Sequence, residues 1–269
     1  MKEKKSNQKE YREAEERKPP SAKVIHDAIF KEAISELSRS SSALFWSGLA
    51  AGLSMGFSMI SEGLLKAYLP DADWNFLVSN LGYSVGFIIV IMGKQQLFTE
   101  NTLTPILPLL EKKSYSMLLN VLRLWGIVLV ANLVGAAVVA YVAAHTEVFD
   151  PHVQKAFAEI GSTAMEPAFE TTLLRGIFAG WLIALIVWLI PYEKTTGLWV
   201  IMILSYIIGI GHFSHVIAGS VETFTLAFMN QAGWWSVLGN YTLPALIGNI
   251  IGGVMIVAVI NHAQVKADN

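Results

Sequence analysis

The chain has 269 residues, of which 54% are hydrophobic and only 15% are charged, well below the roughly 25% of ordinary soluble domains. The formal net charge of −2 is a total over two different parts of the chain, a charged N-terminal stretch and a long apolar body. That body has too few charges to present an aqueous surface, so the composition excludes a soluble protein and indicates an integral membrane protein. The sequence contains no cysteine, which excludes disulfide bonds and thiol chemistry.

Residues 1–40 carry ten of the nineteen Lys and Arg residues and eight of the twenty-one acids. We expect a solvated, polar cytoplasmic tail in which Pro19-Pro20 separates a charged stretch from a helix that begins near Ser21. No short apolar core with a cleavage site follows the charges, so we do not expect a secretory signal. A role of the tail in gating or in binding a partner is the alternative interpretation.

Six segments follow that are apolar enough to cross a bilayer, which takes about 20 residues each. The first, Leu44–Leu69, contains the row Gly48, Gly52 and Gly56, which is suited to close helix packing. The second begins near Asn75, is interrupted at 94–102 and resumes to Leu110. The others are predicted at about 117–144, at 172–190, at 198–228 with an interruption at 211–220, and at 236–260.

The predicted transmembrane pore domain therefore covers residues 41–262, followed by a cytoplasmic C-terminus at 263–269. An excess of Lys and Arg marks the cytoplasmic side. Lys112 and Lys113 follow the second span and Lys194 follows the fourth, whereas the loop 145–171 has five acids and one lysine. We predict that both termini are cytoplasmic and that the protein lies in a bacterial cytoplasmic (inner) membrane.

Two landmarks recur at nearly the same spacing along the chain. The stretch Asn132–Gly135 matches Asn249–Gly252, 117 residues later, and the interruption at 93–99 lies 118 residues before the one at 211–217. Each half, at about 41–145 and 170–262, thus has three spans with the middle one broken. Because three is odd, the halves are predicted to have opposite orientations, and paired broken helices of this kind point to a transport site.

The interruptions leave backbone groups without helical partners, which is tolerated only inside protein or beside a wet cavity. We expect Thr104 to cap the resumed helix of the first break, with Pro105 at its first position, and Ser220 to cap that of the second. Both N-termini would then direct positive potential toward the middle of the membrane, which favours an anion. Ordinary kinks in a helix bundle are the alternative.

With these breaks in view, the sequence resembles the formate/nitrite transporter family over roughly residues 25–262. In that family the second span breaks at a Glu-Leu-Phe-Thr loop and the fifth at a Phe-Glu-His-Ser-type turn with a central histidine. The matching residues here are Gln96, Leu97, Phe98 and Thr99 in the first break, and Phe213, Ser214 and His215 in the second.

The resemblance implies an all-α membrane protein with an aquaporin-like protomer of six transmembrane helices, the second and fifth broken, and a homopentamer with one pore per protomer. It also implies that Leu97, Phe98 and Thr99 line a constriction and that His215 lies at the pore centre.

This sequence departs from the family pattern at several positions. The acid before each break is replaced by Gln96 and Ser214, a family asparagine in span four falls on Gly180, and a vestibule lysine falls near Ala164, with Lys155 the nearest lysine. Lys94 and His212 stand where the family usually has glycine. Our hypothesis is that these two residues supply the positive potential that the missing lysine would give.

Other charged residues in the spans have simple interpretations. Lys94 and Glu100 flank the first break and could pair with one another, with a role in the pore as the alternative. Glu62 and Lys66, four residues apart, are interpreted as a pair on a helix surface. The presence of Arg175 inside a span is explained equally well by snorkelling of its side chain to the lipid headgroups and by a functional role.

The leading functional prediction is a pore for small monovalent anions such as formate and nitrite, or for their conjugate acids. A histidine titrates near neutrality, so an anion could be protonated near His215 and cross the Leu97 and Phe98 constriction as the neutral acid. Direct flow of the anion is the competing mechanism.

Two other classes of function stay open from the sequence. One is a non-conducting membrane scaffold or sensor that acts through its cytoplasmic tail. The other is a membrane metalloenzyme around His212 and His215, which lacks the further ligands of a catalytic metal site. We expect the lipid bilayer, a small anion and further copies of the chain as partners, with no enzyme activity, cofactor, metal or nucleic acid.

Overall fold

A computed structural model describes residues 21–192 and 196–267, which form helices joined by turns. The predicted orientation partly depends on the lysines and arginines within residues 1–20 and on Lys194. These positions lie outside the described residues. The helices are α1 (Ala22–Leu37), α2 (Ser41–Tyr68), α3 (Asn75–Met92), α4 (Ile106–Lys112), α5 (Tyr115–His145), α6 (Pro151–Met165), α7 (Phe169–Leu189), α8 (Gly197–Ile210), α9 (Val216–Phe228) and α10 (Trp234–Ala267).

Five of these helices, namely α2, α3, α5, α7 and α10, are long and apolar enough to cross a membrane. The shorter apolar helices α8 and α9 follow one another and together make the predicted fifth span, and α4 continues the span that α3 begins. The order α2, α3–α4, α5 is repeated as α7, α8–α9, α10. This arrangement confirms the prediction of six spans in two inverted halves.

The long helices of each half pack along one another, α2 on α5 and α7 on α10. A Cβ on Gly52 would collide with the carbonyl oxygen of Asn132, and one on Gly180 would collide with that of Asn249. The predicted close packing at the row Gly48, Gly52 and Gly56 is confirmed. The same geometry explains why residue 180 is a glycine. Only glycine leaves the two backbones room to approach this closely.

The segment expected to be a polar loop between spans three and four contains a helix, α6, so that expectation is wrong. Asp150 is its N-cap and accepts hydrogen bonds from the amides of His152 and Val153, with Pro151 in the first turn. The Tyr68 hydroxyl, which donates to Asp150 at 2.6 Å, is the main reason why the pKa of Asp150 is lowered. The Asp-Pro start is the sequence signal that predicts such a helix.

The N-terminal helix α1 begins after Ser21, as predicted. Its inner face, formed by His26, Ile29, Ala33 and Leu37, is buried, and the helix contacts α4, α5, α7 and α10. Residues 22–37 are thus a helix docked on the pore domain rather than a freely solvated arm.

Candidate functional site

Both broken spans turn at a residue with a left-handed backbone. The φ angle is 52° at Lys94, after α3, and 48° at His212, after α8. In each turn the next amide, that of Gln95 or Phe213, donates to the carbonyl five residues earlier, which is the usual way to end a helix. A left-handed residue with a side chain costs about 1–2 kcal/mol, which explains why glycine suits these positions.

A buried asparagine holds the first break in place. The Asn132 side chain, on α5, is fully buried. Its Oδ1 accepts from the amide of Phe98 at 2.9 Å, and its Nδ2 donates to the carbonyls of Gly48 at 2.7 Å and Gln96 at 2.9 Å. One side chain therefore satisfies two backbone groups of the break and ties them to α2.

Asn249, on α10, does the same for the second break. Its Oδ1 accepts from the amide of Val216 at 2.9 Å, and its Nδ2 donates to the carbonyls of Gly176 and Ser214, both at 2.8 Å. The two asparagines were landmarks of the predicted repeat, but their role at the breaks was not foreseen. Their spacing from the breaks, equal within one residue, was the signal that could have suggested it.

The two breaks meet at one polar contact. Thr99 Oγ1 lies 2.7 Å from His215 Nε2, and both residues are fully buried. The amide of Ala218 donates to His215 Nδ1 at 3.1 Å, which makes His215 the N-cap of α9. Because an amide can only donate, Nδ1 carries no proton in this arrangement, and the neutral ring donates from Nε2 to Thr99.

Apolar side chains surround this contact. Leu97, Phe98 and Val216 are at most 1% exposed. The Phe87 ring meets the His215 ring edge-on, with centroids 4.9 Å apart. The Thr99–His215 pair is therefore a polar contact in apolar surroundings, where an unpaired charge would be costly.

The helix caps differ from those predicted, so both cap predictions are wrong. α9 begins at Val216, and Ser220 lies inside it with a buried hydroxyl that has no partner among the described residues. The N-cap of α4 is Pro105, and the Thr104 hydroxyl donates to Glu36 at 2.9 Å. The N-terminus of α9 therefore lies at the polar contact, whereas α4 begins only after an irregular segment.

A cavity of about 580 Å³ opens beside the second break, on the side of α6. Ser214 and Tyr241 line it, and the Tyr241 hydroxyl donates to the His215 carbonyl at 3.4 Å. His212 also lines the cavity, with its ring 5.0 Å from that of Phe76. The longer charged side chains in the wall are Lys66, Lys155, Arg175, Glu62, Glu159 and Glu222.

Two interpretations of charged residues change at this cavity. Glu62 is 9% exposed, and Lys66 contacts Glu159 at 3.3 Å, so the predicted Glu62–Lys66 surface pair is wrong. Arg175 faces the cavity, where it places a positive charge.

The N-terminal helix α1 covers the first break. Gln96 Nε2 donates to Glu36 Oε1 at 2.9 Å. Glu36 thus brings a carboxylate to the place where the family has its own acid. Burial is the main reason why the pKa of Glu36 is raised, and the hydrogen bonds from Gln96 and Thr104 oppose it.

Lys94 also faces α1. Its Nζ lies 3.4 Å from Glu32 Oε1, and its side chain is 74% exposed. The predicted Lys94–Glu100 pair is not formed, and Glu100 Oε1 is buried without a hydrogen-bond partner among the described residues. Lys94 and His212 are therefore at opposite ends of the pore domain.

The nine predicted site residues fall into three groups. The first group is a cluster of six residues. In this cluster Thr99 and His215 contact one another, and the others are buried beside them or bound to the asparagines, namely Leu97, Phe98, Gln96 and Ser214. Phe213 stacks on Phe178 with centroids 5.2 Å apart. Lys94 and His212 lie outside this cluster, at the turns.

A protein-family model described as formate/nitrite transporter matches residues 23–263. The chain belongs to the formate/nitrite transporter family. It is 39% identical over 254 residues to the inner membrane protein YfdC of Escherichia coli (strain K12), covering 94% of this chain and 82% of that protein. It is 27% identical over 241 residues to the formate channel BtFdhC of Bacillus thuringiensis, covering 85% and 89%.

Solved structures of the family have the same fold. An FNT family ion channel aligns with a TM-score of 0.76 at 18% identity, covering 90% of this chain and 98% of that one. A pentameric formate channel with formate bound aligns with a TM-score of 0.70 at 18% identity, covering 85% and 98%. The aquaporin-like arrangement expected from the resemblance is confirmed as the fold of this family.

Family membership also bears on the broader predictions. This is a family of transporters rather than enzymes, and the chain is a multi-pass membrane protein. Its similarity to YfdC, together with the apolar helices, supports a bacterial inner-membrane location.

Proposed function

We propose that the protein conducts small monovalent anions, with formate and nitrite as the first candidates, through a pore in each protomer. The observation that carries this proposal is the Thr99–His215 contact, which joins the two helix breaks inside an apolar constriction. Membership of the formate/nitrite transporter family favours transport over the non-conducting scaffold or sensor. The relative named as a formate channel supports the choice of substrate.

The geometry favours passage of the conjugate acid rather than the bare anion. An anion is attracted by Arg175 at the cavity and by the positive end of α9. An unpaired charge in the constriction between Leu97 and Phe98 would be costly, whereas a neutral acid could cross and form a hydrogen bond to Thr99 or His215. Charge attraction thus concentrates the substrate, and protonation lets it cross.

Assembly and orientation complete the proposal. The pentameric formate channel with the same fold supports a homopentamer for this chain. The lysine distribution of the sequence supports cytoplasmic N- and C-termini, which places α1 inside the cell and the cavity beside α6 outside. We further propose that Gln96, Leu97, Phe98, Thr99, Phe213, Ser214 and His215 line the pore, with Lys94 and His212 at its two ends.

The decisive experiment is isotope exchange of formate and nitrite in liposomes that contain the purified protein. We expect saturable exchange by the wild type. In Thr99→Val, which keeps the shape of the side chain but removes the acceptor for His215, exchange should fall by about tenfold, since a buried unpaired donor costs about 1–3 kcal/mol.

The control is Thr225→Val. Thr225 is also a buried threonine, but its hydroxyl donates to Val221 within α9, away from the constriction, so exchange should stay near the wild-type rate. Absence of exchange by the wild type with formate, nitrite, acetate and hydrosulfide would refute the proposed function. Equal exchange by Thr99→Val and the wild type would refute the role of the Thr99–His215 contact.

A further inference from the structure

Two acids in the wall of the cavity have no role in the site described so far. Glu62, on α2, is 9% exposed, and Glu222, on α9, is 7% exposed. Both line the cavity of about 580 Å³. Among the described residues, neither carboxyl group has a hydrogen bond, and Lys66, the cation that acts on Glu62, is within ion-pair distance of Glu159 instead. Carboxyl groups that are nine-tenths buried are normally bound to other groups, so these two are available to whatever fills the cavity.

The position of Glu222 links the cavity to the constriction. Glu222 follows His215 by seven residues on α9, which is two helical turns, or about 10 Å, on the same face. Tyr241 lines the same cavity and donates its hydroxyl hydrogen to the His215 carbonyl. Glu222 and Tyr241 therefore connect the cavity wall to the end of α9 at which His215 lies.

His215 is poorly placed to protonate that solute itself. Its Nδ1 accepts from the Ala218 amide, and its Nε2 is bound to Thr99. To give up its one proton, the ring must break the bond to Thr99, and to hold a second proton it must release the cap of α9. A proton donor on the cavity side has neither of these constraints.

We propose that Glu222, assisted by Glu62, is the proton donor that converts an incoming weak-acid anion into its neutral acid before it enters the constriction. This inference rests on the proposed function. The O–H bond of the Glu222 carboxylic acid breaks and a new O–H bond forms on an oxygen of the anion. The Glu222 carboxylate then regains a proton from water in the cavity, and the neutral acid releases its proton on the other side, so one proton accompanies each anion.

The groups that face Glu222 are compatible with this role. The titratable groups that interact electrostatically with Glu222 are Glu62 on α2, Tyr83 on α3 and Tyr241 on α10. The described residues of α5, which packs against α9, contribute none to the cavity wall. The remaining titratable groups of the cavity are Lys66, Asp71, His152, Lys155, Glu159, Arg175 and His212. The cations among them attract the anion, and the two buried acids are in reach of it.

The test is equilibrium exchange of labelled formate in liposomes at equal pH on both sides, measured over a range of pH. Glu222→Gln keeps the size and polarity of the side chain but cannot donate an acidic proton. At neutral pH we expect exchange to fall about tenfold or more, since general acids contribute about 10²–10⁴-fold. At acid pH, where formic acid is supplied by the solution, the rate should return toward that of the wild type.

Three comparisons make the outcome decisive. Glu222→Asp should recover most of the neutral-pH exchange, and Glu62→Gln should show a smaller loss with the same rescue by acid. Glu170→Gln removes an exposed acid of α7 that does not line the cavity, so it should behave as the wild type. Exchange by Glu222→Gln that equals or exceeds that of the wild type, or a loss that is the same at every pH, would overturn the inference. If the wild-type protein shows no formate exchange at all, that result refutes the proposed function instead.

Discussion

Asn249 makes three hydrogen bonds from a fully buried side chain: two go to backbone groups of the second break, at Val216 and Ser214, and one goes to the Gly176 carbonyl inside α7. Asn132 does the same in the other half. An amide side chain suits this task because it accepts and donates at once. These two residues allow the spans to be interrupted at membrane depth without leaving the backbone unsatisfied.

Replacing Asn249 by alanine should therefore be strongly destabilising. The Asn249→Ala variant leaves the Val216 amide and the Ser214 carbonyl without their partner, at a total of about 2 kcal/mol or more. Thermal unfolding of the detergent-solubilised protein measures this loss, and we expect formate exchange to fall with it.

The matched control is Asn240→Ala on the same helix. Asn240 is exposed and contacts only Ser236 through its side chain among the described residues, so we expect a change within about 0.5 kcal/mol. Similar melting temperatures for the two variants would show that the second break does not depend on Asn249.

Sequence reasoning at the residue scale identified Thr99 and His215, but not Glu222. The first two lie in a motif whose resemblance to the family is visible in the order of residues. Glu222 is an acid on an apolar helix, and nothing in its neighbours along the chain shows that α2 and α6 leave a cavity beside it. Likewise, the Glu62–Lys66 spacing suggested a surface pair because a spacing of four residues does not reveal which helix face is covered.

Among the helices, α1 has a position that depends on one acidic residue, Glu36. Glu36 accepts hydrogen bonds from Gln96 and Thr104, both in the first broken span. Together with the buried face of Ile29, Ala33 and Leu37, these bonds hold α1 against the first broken span. The docking of α1 should therefore respond to the protonation of Glu36.

We expect α1 to dock more tightly in acid. Burial raises the pKa of docked Glu36 above its ordinary value of 4.5, so the docked helix binds a proton more tightly than a released one. Docking is thus strongest below about pH 4.5 and weakens as the pH rises through the raised pKa, by about 1.4 kcal/mol for each unit of the difference. A nitroxide label at Ser35→Cys should accordingly become more mobile as the pH rises.

The control uses the two acids of α1. Glu36→Gln should remove the pH dependence of the label's mobility, because the amide does not titrate. Glu32→Gln, which removes the contact to Lys94, should retain it. A pH dependence that persists in Glu36→Gln would contradict the assignment.

At the scale of the whole molecule, the two halves share one architecture. Both breaks begin with a turn through a left-handed residue, both are held by an asparagine, and both long-helix crossings depend on a glycine. The halves also differ. The second half carries His215 and Glu222 on α9, whereas the first break is covered by α1.

The orientation of this molecule can be tested directly because the chain has no cysteine of its own. We expect a cysteine at Lys155→Cys, on the exposed side of α6, to react with a membrane-impermeant maleimide in intact cells. A cysteine at Lys112→Cys, at the end of α4, should react only after the cells are permeabilised. The reverse pattern would show that the termini are outside and the cavity inside.

The membrane class, the six spans, the inverted repeat and the two breaks could be predicted before folding, because each follows from hydrophobicity, length or spacing along the chain. The contacts between distant residues became visible only in the folded protein: Thr99 with His215, Glu36 with Gln96, and Glu222 with the cavity. These contacts join residues that are far apart in the chain. They depend on the rotation of each helix about its own axis and on the point along the helices at which two of them cross. A rotation of one residue turns a side chain by about 100°, so a surface position and a cavity wall are hard to tell apart until the helices are packed.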